Sequence, residues 1–360
     1  MPLFKTAPNA ICILRLSAVG DVCNTIAMAQ MIQRQWPSTR ITWVTGKLEQ
    51  ELLQGLEGIR VVVFDKKQGS SAYRSLWAEL ANERFDALLH CQYALRASIA
   101  TLGIKARFKL GFDRHRSQDF QTLFTNHKVP SPIDKPHVLD GLLAFAQELG
   151  VQLEKPCWDL NIDVADKQWA DKQLLQQQPN LVIVPGASKA YKNWHSQGYA
   201  QIIEHASSKG WKITLAGSPS PVEQILATEI VSKTSVAINN IVGKSTLKQM
   251  LALLKGADLV IAPDTGPTHM ANAVGTPVIG LYAHHNPERT GPYYFRDYVV
   301  SAYQQALVAE GRSKAPNWRT RVKDPQAMNR IVASDVINMF DRASLAFNIE
   351  RNIEAKAASK

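Results

Sequence analysis

The chain offers no run of about 18 uncharged apolar residues, so no segment is expected to span a bilayer. It has no CxxC pair and no Cys/His spacing of the kind that holds a metal. Its four cysteines, Cys12, Cys23, Cys91 and Cys157, lie far apart, each in or near an apolar run. They read as reduced, buried, small hydrophobic residues of a cytosolic protein. The opening stretch MPLFKTAPNAICIL has neither a basic start nor a small-residue cleavage site behind a long apolar core, so no secretory signal is expected. Short repeats and low-complexity tracts are missing too. The 18 prolines and 20 glycines are scattered, which argues against a fibrous or disordered chain.

What is present fits a two-domain globular protein: 360 residues, 45% of them apolar. Lys and Arg number 41 against 31 Asp and Glu, a formal net charge of +10. That balance suits an anionic partner such as nucleic acid, a membrane surface or a phosphorylated ligand, or simply a soluble enzyme with an alkaline pI.

Short apolar runs alternate with helical spacing. Strands are expected at 10–15, 40–45, 60–64, 86–90 and roughly 106–111, with helices at 22–35, 47–55, 72–83 and 95–102. A helix at 137–149 should end at Gly150. Residues 151–164, with Pro156 and little periodicity, are the best linker candidate. The pattern then restarts, with strands at 180–184, 211–216, about 236–242, 258–262 and 277–282. Helices are expected at 165–177, 196–209, 220–232, 246–255 and 267–275. Strand then helix, repeated, means a parallel sheet covered on both faces. The reading is an α/β chain of two Rossmann-like, doubly wound domains, 1–160 and 161–325, facing a central cleft. An amphipathic C-terminal helix and a fraying tail would fill 326–360. Ligands of such sheets bind outside the carboxyl ends of the strands.

Four loops carry chemistry. LRLSAVGDVCNT, residues 14–25, leaves the first strand with neither GxGxxG nor a P-loop, and places the acid Asp21 at its mouth. PDTGPTHMANAVGTPVIGLY, residues 263–282, leaves a strand into a helix start, where free N–H groups favour an anion. Thr265 and Thr268 add hydroxyls there, and Gly266 allows close backbone approach. Asp264 suits a sugar hydroxyl better than a phosphate. The plain alternative is helix capping by Asp264 or Thr265. VPGASKAYKNW, residues 184–194, brings Ser188 and two lysines, Lys189 and Lys192, which are either phosphate-facing cations or solvated surface charges. LAGSPSPVEQ, residues 215–224, brings Glu223, placed as ribose-binding acids are in dinucleotide folds.

RLSAVGDV, PGASKAYKNW and PDTGPTHMANAVGTPVIGLY together resemble glycosyltransferase family 9, the ADP-heptose:lipopolysaccharide heptosyltransferases, in order and spacing over roughly residues 10 to 300. The resemblance implies a GT-B fold with the acceptor on the N-terminal domain and the nucleotide-sugar on the C-terminal one. It implies an inverting, metal-independent transfer, with ADP-sugar as co-substrate and no other cofactor. It makes Asp21 the general base, with Ser17 and Gly20 shaping its loop; the alternative is that Asp21 caps the following helix. It places Ser188 and Lys192 at the donor phosphates, Glu223 at the ribose, Asp264 at the donor sugar, and Thr265 and Gly266 in the phosphate loop. His269 either reaches the phosphate or packs within its helix.

The implied acceptor is an anionic lipid A core. The stretch 96–116, with six Lys/Arg and one acid, reads as a basic loop for it, with Arg96, Arg114 and Arg116 as acceptor candidates. An ordinary solvated loop is the alternative. His284, His285 and Arg289 lie in a further long loop and are candidates to gate the cleft. Ala18-Val19 and Pro267-Thr268 depart from the usual family wording and leave the sugar open. The expected enzyme is cytoplasmic and peripheral on the inner face of the inner membrane, with no nucleic-acid partner and an undetermined oligomeric state. Its rivals are a transferase of another sugar or acceptor, an epimerase of the same shape, and a non-catalytic nucleotide or nucleic-acid binder. Against the last stands the lack of interleaved stacking aromatics in 96–116.

Overall fold

The computed structural model describes residues 2–175, 177–312 and 317–349. The chain divides into two compact units, one up to Asn161 and one from Ile162 onward.

The first unit runs β1 (Ala10–Leu14), α1 (Val19–Gln35), β2 (Arg40–Gly46), α2 (Gln50–Leu53), β3 (Ile59–Phe64), α3 (Ser70–Glu79), β4 (Phe85–His90), α4 (Leu95–Ala100), β5 (Ala106–Phe112), β6 (His127–Val129) and α5 (Val138–Leu149). Its six strands are parallel in the order β3-β2-β1-β4-β5-β6. Every residue of β1 is buried, which is why that strand is apolar throughout. Helix α5 ends on Gly150 at φ 117°, a left-handed cap that glycine takes without strain.

The second unit runs α6 (Val164–Asp171), β7 (Asn180–Ile183), α7 (Ser196–Ser208), β8 (Lys212–Leu215), α8 (Pro221–Ser232), β9 (Ile238–Asn240), α9 (Leu247–Gly256), β10 (Leu259–Pro263), α10 (Gly266–Val274), β11 (Val278–Tyr282), α11 (Pro287–Thr290), β12 (Val299–Ser301), α12 (Tyr303–Ala309) and α13 (Ala333–Ala346). Its parallel sheet is ordered β12-β11-β10-β7-β8-β9, the same topology again. Helix α13 belongs to this unit's core. Phe340 packs edge-on against Trp211 at 4.9 Å, and Asp341 meets His205 at 2.8 Å. Residues 350–360 of the expected tail lie outside the described residues.

Two expectations need correction; a third holds. Residues 151–163 have no regular structure and contain the unit boundary at Asn161, as a linker should, and they are packed along α1. Gln35 receives the Gln152 N–H at 2.7 Å, Gln30 bonds both ways with Asp159, and the Trp158 indole donates to the Cys23 carbonyl at 2.8 Å. Side chains of α1 thus satisfy a strap that has no ladder of its own. The stretch 96–116 is not a loop: it contains α4, β5 and the turn after β5. Its cations are therefore divided among elements. Lys105 bonds the Ala81 carbonyl and Lys109 the Thr101 carbonyl, both away from any rim. Finally, Cys157 is exposed, whereas Cys12, Cys23 and Cys91 are buried; all four are free.

Candidate active site

In each unit the strand order reverses between its first and fourth strands, and there the loops leaving the two strands diverge and open a binding position. In the first unit these strands are β1 and β4. Leaving β1, Arg15 turns inward and is buried. Its guanidinium bonds the Cys91 carbonyl with Nη1 and pairs with Asp21 Oδ2 through Nη2. Asp21 sits in the first turn of α1, and the same Oδ2 accepts the Ala18 N–H at 3.4 Å. The acid therefore does help cap its helix, where the helix dipole also favours a carboxylate. Oδ1 takes neither of these bonds, and the side chain is 41% exposed. Asp21 thus presents an oriented carboxylate whose Oδ1 takes no hydrogen bond or ion pair among the described residues.

The loop is braced from β4. Gln92 accepts the Leu16 N–H at 2.7 Å and donates to the Ser17 hydroxyl at 3.2 Å. Gln121, fully buried, donates to the carbonyls of His90 and Gln92 and accepts the Phe112 N–H. Below them the His90 and Ser98 side chains meet at 2.9 Å. Burial, then the charges of Arg15 and Lys128, pushes the His90 imidazole down to about 3, so it is neutral. Ser17 is half-buried and Gly20 is buried at the start of α1, so both shape the loop.

Of the acceptor candidates, Arg96 opens α4 and Arg114 lies just beyond the end of β5, both exposed. Arg116 is instead tied down. Its guanidinium pairs with Asp113, bonds the Val129 carbonyl and stacks over Phe112, so it holds the turn.

In the second unit the corresponding strands are β7 and β10. Lys192, on the loop from β7, donates from Nζ to Asp264 Oδ2 at 2.9 Å across the switch point. His285, from the loop after β11, bonds the same oxygen through Nδ1. Burial alone would raise the Asp264 carboxyl. The His285 hydrogen bond and the Lys192 charge outweigh it and hold the group well below the usual carboxylate range. His284 is buried and anchors this loop to the carbonyls of Tyr191 and Val322. Neither capping alternative is realised here: Thr265 is the N-cap of α10 but makes no side-chain cap bond, and Asp264 is engaged with Lys192 and His285.

Thr265 and Gly266 are half-buried at the start of α10, where helix N–H groups lack intrahelical partners. Thr268 is buried, and its hydroxyl donates to the Pro263 carbonyl at 2.6 Å; it serves the loop rather than the rim. His269 is buried one residue further on. Ser188 is exposed on the β7 loop. Glu223 is buried on α8, where both carboxylate oxygens accept from Ser218, its N–H at 2.8 Å and its hydroxyl at 2.5 Å. A Cβ on Gly186 would lie 2.3 Å from Glu223 Cγ, and one on Gly217 2.6 Å from its Oε2. These two strand-end glycines make room for the acid.

The bracing residues Gln92, Gln121 and Arg15 escape sequence reading. Their only signal is a polar side chain at the end of an apolar strand or in a turn. The three-residue strands β6 and β12 escape it too, being too short for any period.

Residues 73–317 match the model of glycosyltransferase family 9 (heptosyltransferase). The chain belongs to this family. The glycosyltransferase is 44% identical over 348 residues to the lipopolysaccharide core heptosyltransferase OpsX of Haemophilus influenzae, covering 96% of this chain and 100% of that protein. It is 22% identical over 334 residues to lipopolysaccharide heptosyltransferase 3 of Escherichia coli, covering 90% and 96%. A family 9 glycosyltransferase structure from Veillonella parvula superposes with a TM-score of 0.77 at 20% identity, over 96% of this chain and 99% of that one. The E. coli heptosyltransferase WaaC with ADP gives 0.73 at 18%, over 93% and 99%. The family 9 glycosyltransferase described here is thus an enzyme of GT-B fold. Among its described residues no helix is long and apolar enough to cross a membrane.

Proposed function

We propose that this glycosyltransferase moves a heptose from ADP-heptose onto the inner core of lipopolysaccharide, with the donor bound by the second unit and the acceptor by the first. The observation that carries the chemistry is the Asp21 carboxylate, fixed by Arg15 through one oxygen and open at the other. Similarity to OpsX over nearly the whole chain supports the substrates.

In this reading Oδ1 of Asp21 takes the proton of the acceptor hydroxyl as that oxygen attacks the anomeric carbon. The new C–O bond forms on the face opposite the departing ADP, so configuration inverts. The electron pair of the breaking bond goes to the diphosphate. Lys192, the Thr265 hydroxyl and the N–H groups that open α10 meet that charge, which is where electrostatic stabilisation lowers the barrier most. Asp264, pinned by Lys192 and His285, is an acceptor for sugar hydroxyls, and Glu223 and Ser188 flank the nucleotide. ADP-heptose is the co-substrate, and the side chains run the reaction without a resident cofactor. Arg96 and Arg114 meet an anionic lipid acceptor at the inner face of the inner membrane.

The test is ADP release from ADP-heptose with and without a heptose-deficient Kdo-lipid A acceptor, with EDTA present. Acceptor-dependent release that collapses in Asp21→Ala supports the reading. Release without acceptor, or release unchanged in Asp21→Ala, overturns the role of Asp21. If intact protein releases nothing, the donor or acceptor is wrong, and a nucleotide-sugar panel decides between them.

A further inference from the structure

The turn after β5 in the first unit exposes large apolar side chains in an ordered way. Phe120 is 72% exposed and Leu123 79%. Phe120 is the left-handed N-cap, at φ 60°, of a 3-10 turn over Gln121–Leu123, and the Leu123 N–H donates to its carbonyl at 2.9 Å. Gln121 between them points the other way, fully buried on the ends of β4 and β5. From beneath, Lys128 Nζ donates to the carbonyls of Thr122 and Thr125. The turn is thus rooted by polar anchors, and its outward apolar side is not a by-product of slack chain. Asp119 brings it beside α4, its carboxylate accepting the Leu95 N–H at 3.4 Å, and Leu95 is itself exposed. Single exposed apolar residues are ordinary; three gathered around one rooted turn form a patch.

The charges around the patch are of one net sign. Asp113 is neutralised by Arg116, and Asp119 faces the start of α4. Arg96 and Arg114 are exposed and make no ion pair among the described residues. Apolar tips flanked by free cations match the two layers of an anionic bilayer, acyl chains beneath phosphates.

We propose that Phe120 and Leu123, with Leu95, insert into an anionic lipid surface while Arg96 and Arg114 pair with its phosphates. This rests on the reading of the acceptor as a membrane lipid, and it names the surface that meets that membrane. Gln121 ties the patch to Gln92, which braces the Asp21 loop, so the insertion point adjoins the acceptor rim.

The test is flotation of the intact protein with vesicles of equal parts phosphatidylcholine and phosphatidylglycerol, and with phosphatidylcholine alone. No donor or acceptor is present, so failure of the transfer assay leaves this result standing. Wild type should float with the anionic vesicles only. The double variant Phe120→Ser/Leu123→Ser should bind them roughly tenfold more weakly or worse, with an unchanged thermal midpoint. The same variant should keep its transfer rate on an acceptor stripped of acyl chains. Arg96→Gln/Arg114→Gln should erase the preference for anionic vesicles. Variants that float like wild type would overturn the proposal. So would a wild-type dimer in sedimentation that the Phe120→Ser/Leu123→Ser change splits, because the patch would then face a second copy.

Discussion

The two switch points share one topology and reverse one another's chemistry. In the first unit cation and acid lie on the same loop, Arg15 and Asp21, and an amide, Gln92, braces them from the fourth strand. In the second unit the cation sits after the first strand and the acid after the fourth, so Lys192 and Asp264 pair across the gap, with His285 added. Asp21 is left 41% exposed with a spare oxygen; the Asp264 side chain is 14% exposed and bonded from two sides. A carboxylate that must accept a proton has to meet its substrate with a lone pair free. A carboxylate that accepts from sugar hydroxyls while held between cationic partners has to remain charged. The same sheet supplies either, depending on which loop carries the cation.

The largest expected effect separates these roles. Asp21→Asn keeps the shape and removes the base; transfer should fall about a thousandfold while donor affinity is unchanged. If donor KM moves with kcat, the division of labour is wrong. Lys192→Ala should lower kcat/KM for the donor about a hundredfold and leave acceptor KM alone. An effect confined to acceptor KM would reverse the assignment of the units.

Acid should divide the two regions as well. The neutral His90 beneath the first site binds its proton more readily in the unfolded chain, where a histidine titrates near about 6.5. Its stabilising contribution is complete above that pH and is lost as pH falls toward about 3. Hydrogen exchange of the β1 and β4 amides should therefore quicken by about tenfold per pH unit through that window, after correction for intrinsic rates. His90→Gln should flatten the slope. The depressed carboxyl of Asp264 has the same sign but a lower window: its contribution is present above the usual carboxylate range, near about 3.9, and is lost only below it. Amides of β7 and β10 should show no such slope between pH 6 and 4, as an order-of-magnitude window.

The smallest effect concerns His285. His285→Asn retains an N–H for Asp264 and should cost about threefold in kcat/KM, whereas His285→Ala should cost about tenfold. Equal losses in both would mean that the imidazole acts in its own right on the substrate.

Much of this frame was legible in residue order. Buried parallel strands such as β1 and β10 are apolar throughout, and the acids and lysines stand out at their ends. Capping chemistry named the end of α5 at Gly150. What stayed hidden depends on distant partners. Nothing near Gln121 in sequence says that it reaches β4, and Arg116 looks like Arg114 until Asp113 and Val129 claim it. Thr268 reads as ligand-facing, yet its hydroxyl is engaged within its own loop. Tyr191 and His284, far apart in the chain, meet edge to face at 4.7 Å, a contact no local pattern announces.

The uneven treatment of the cysteines has a practical consequence. Burial pushes the Cys23 and Cys91 thiols up to about 12, and Cys12 higher still, so none of the three offers appreciable thiolate at neutral pH. Cys157 is exposed on the strap that ends the first unit, just ahead of the boundary at Asn161. A maleimide dye added to the unaltered protein should therefore attach at one place. The chain comes with its own spectroscopic handle beside the junction, and changes there on adding donor or acceptor can be followed without engineering a single residue.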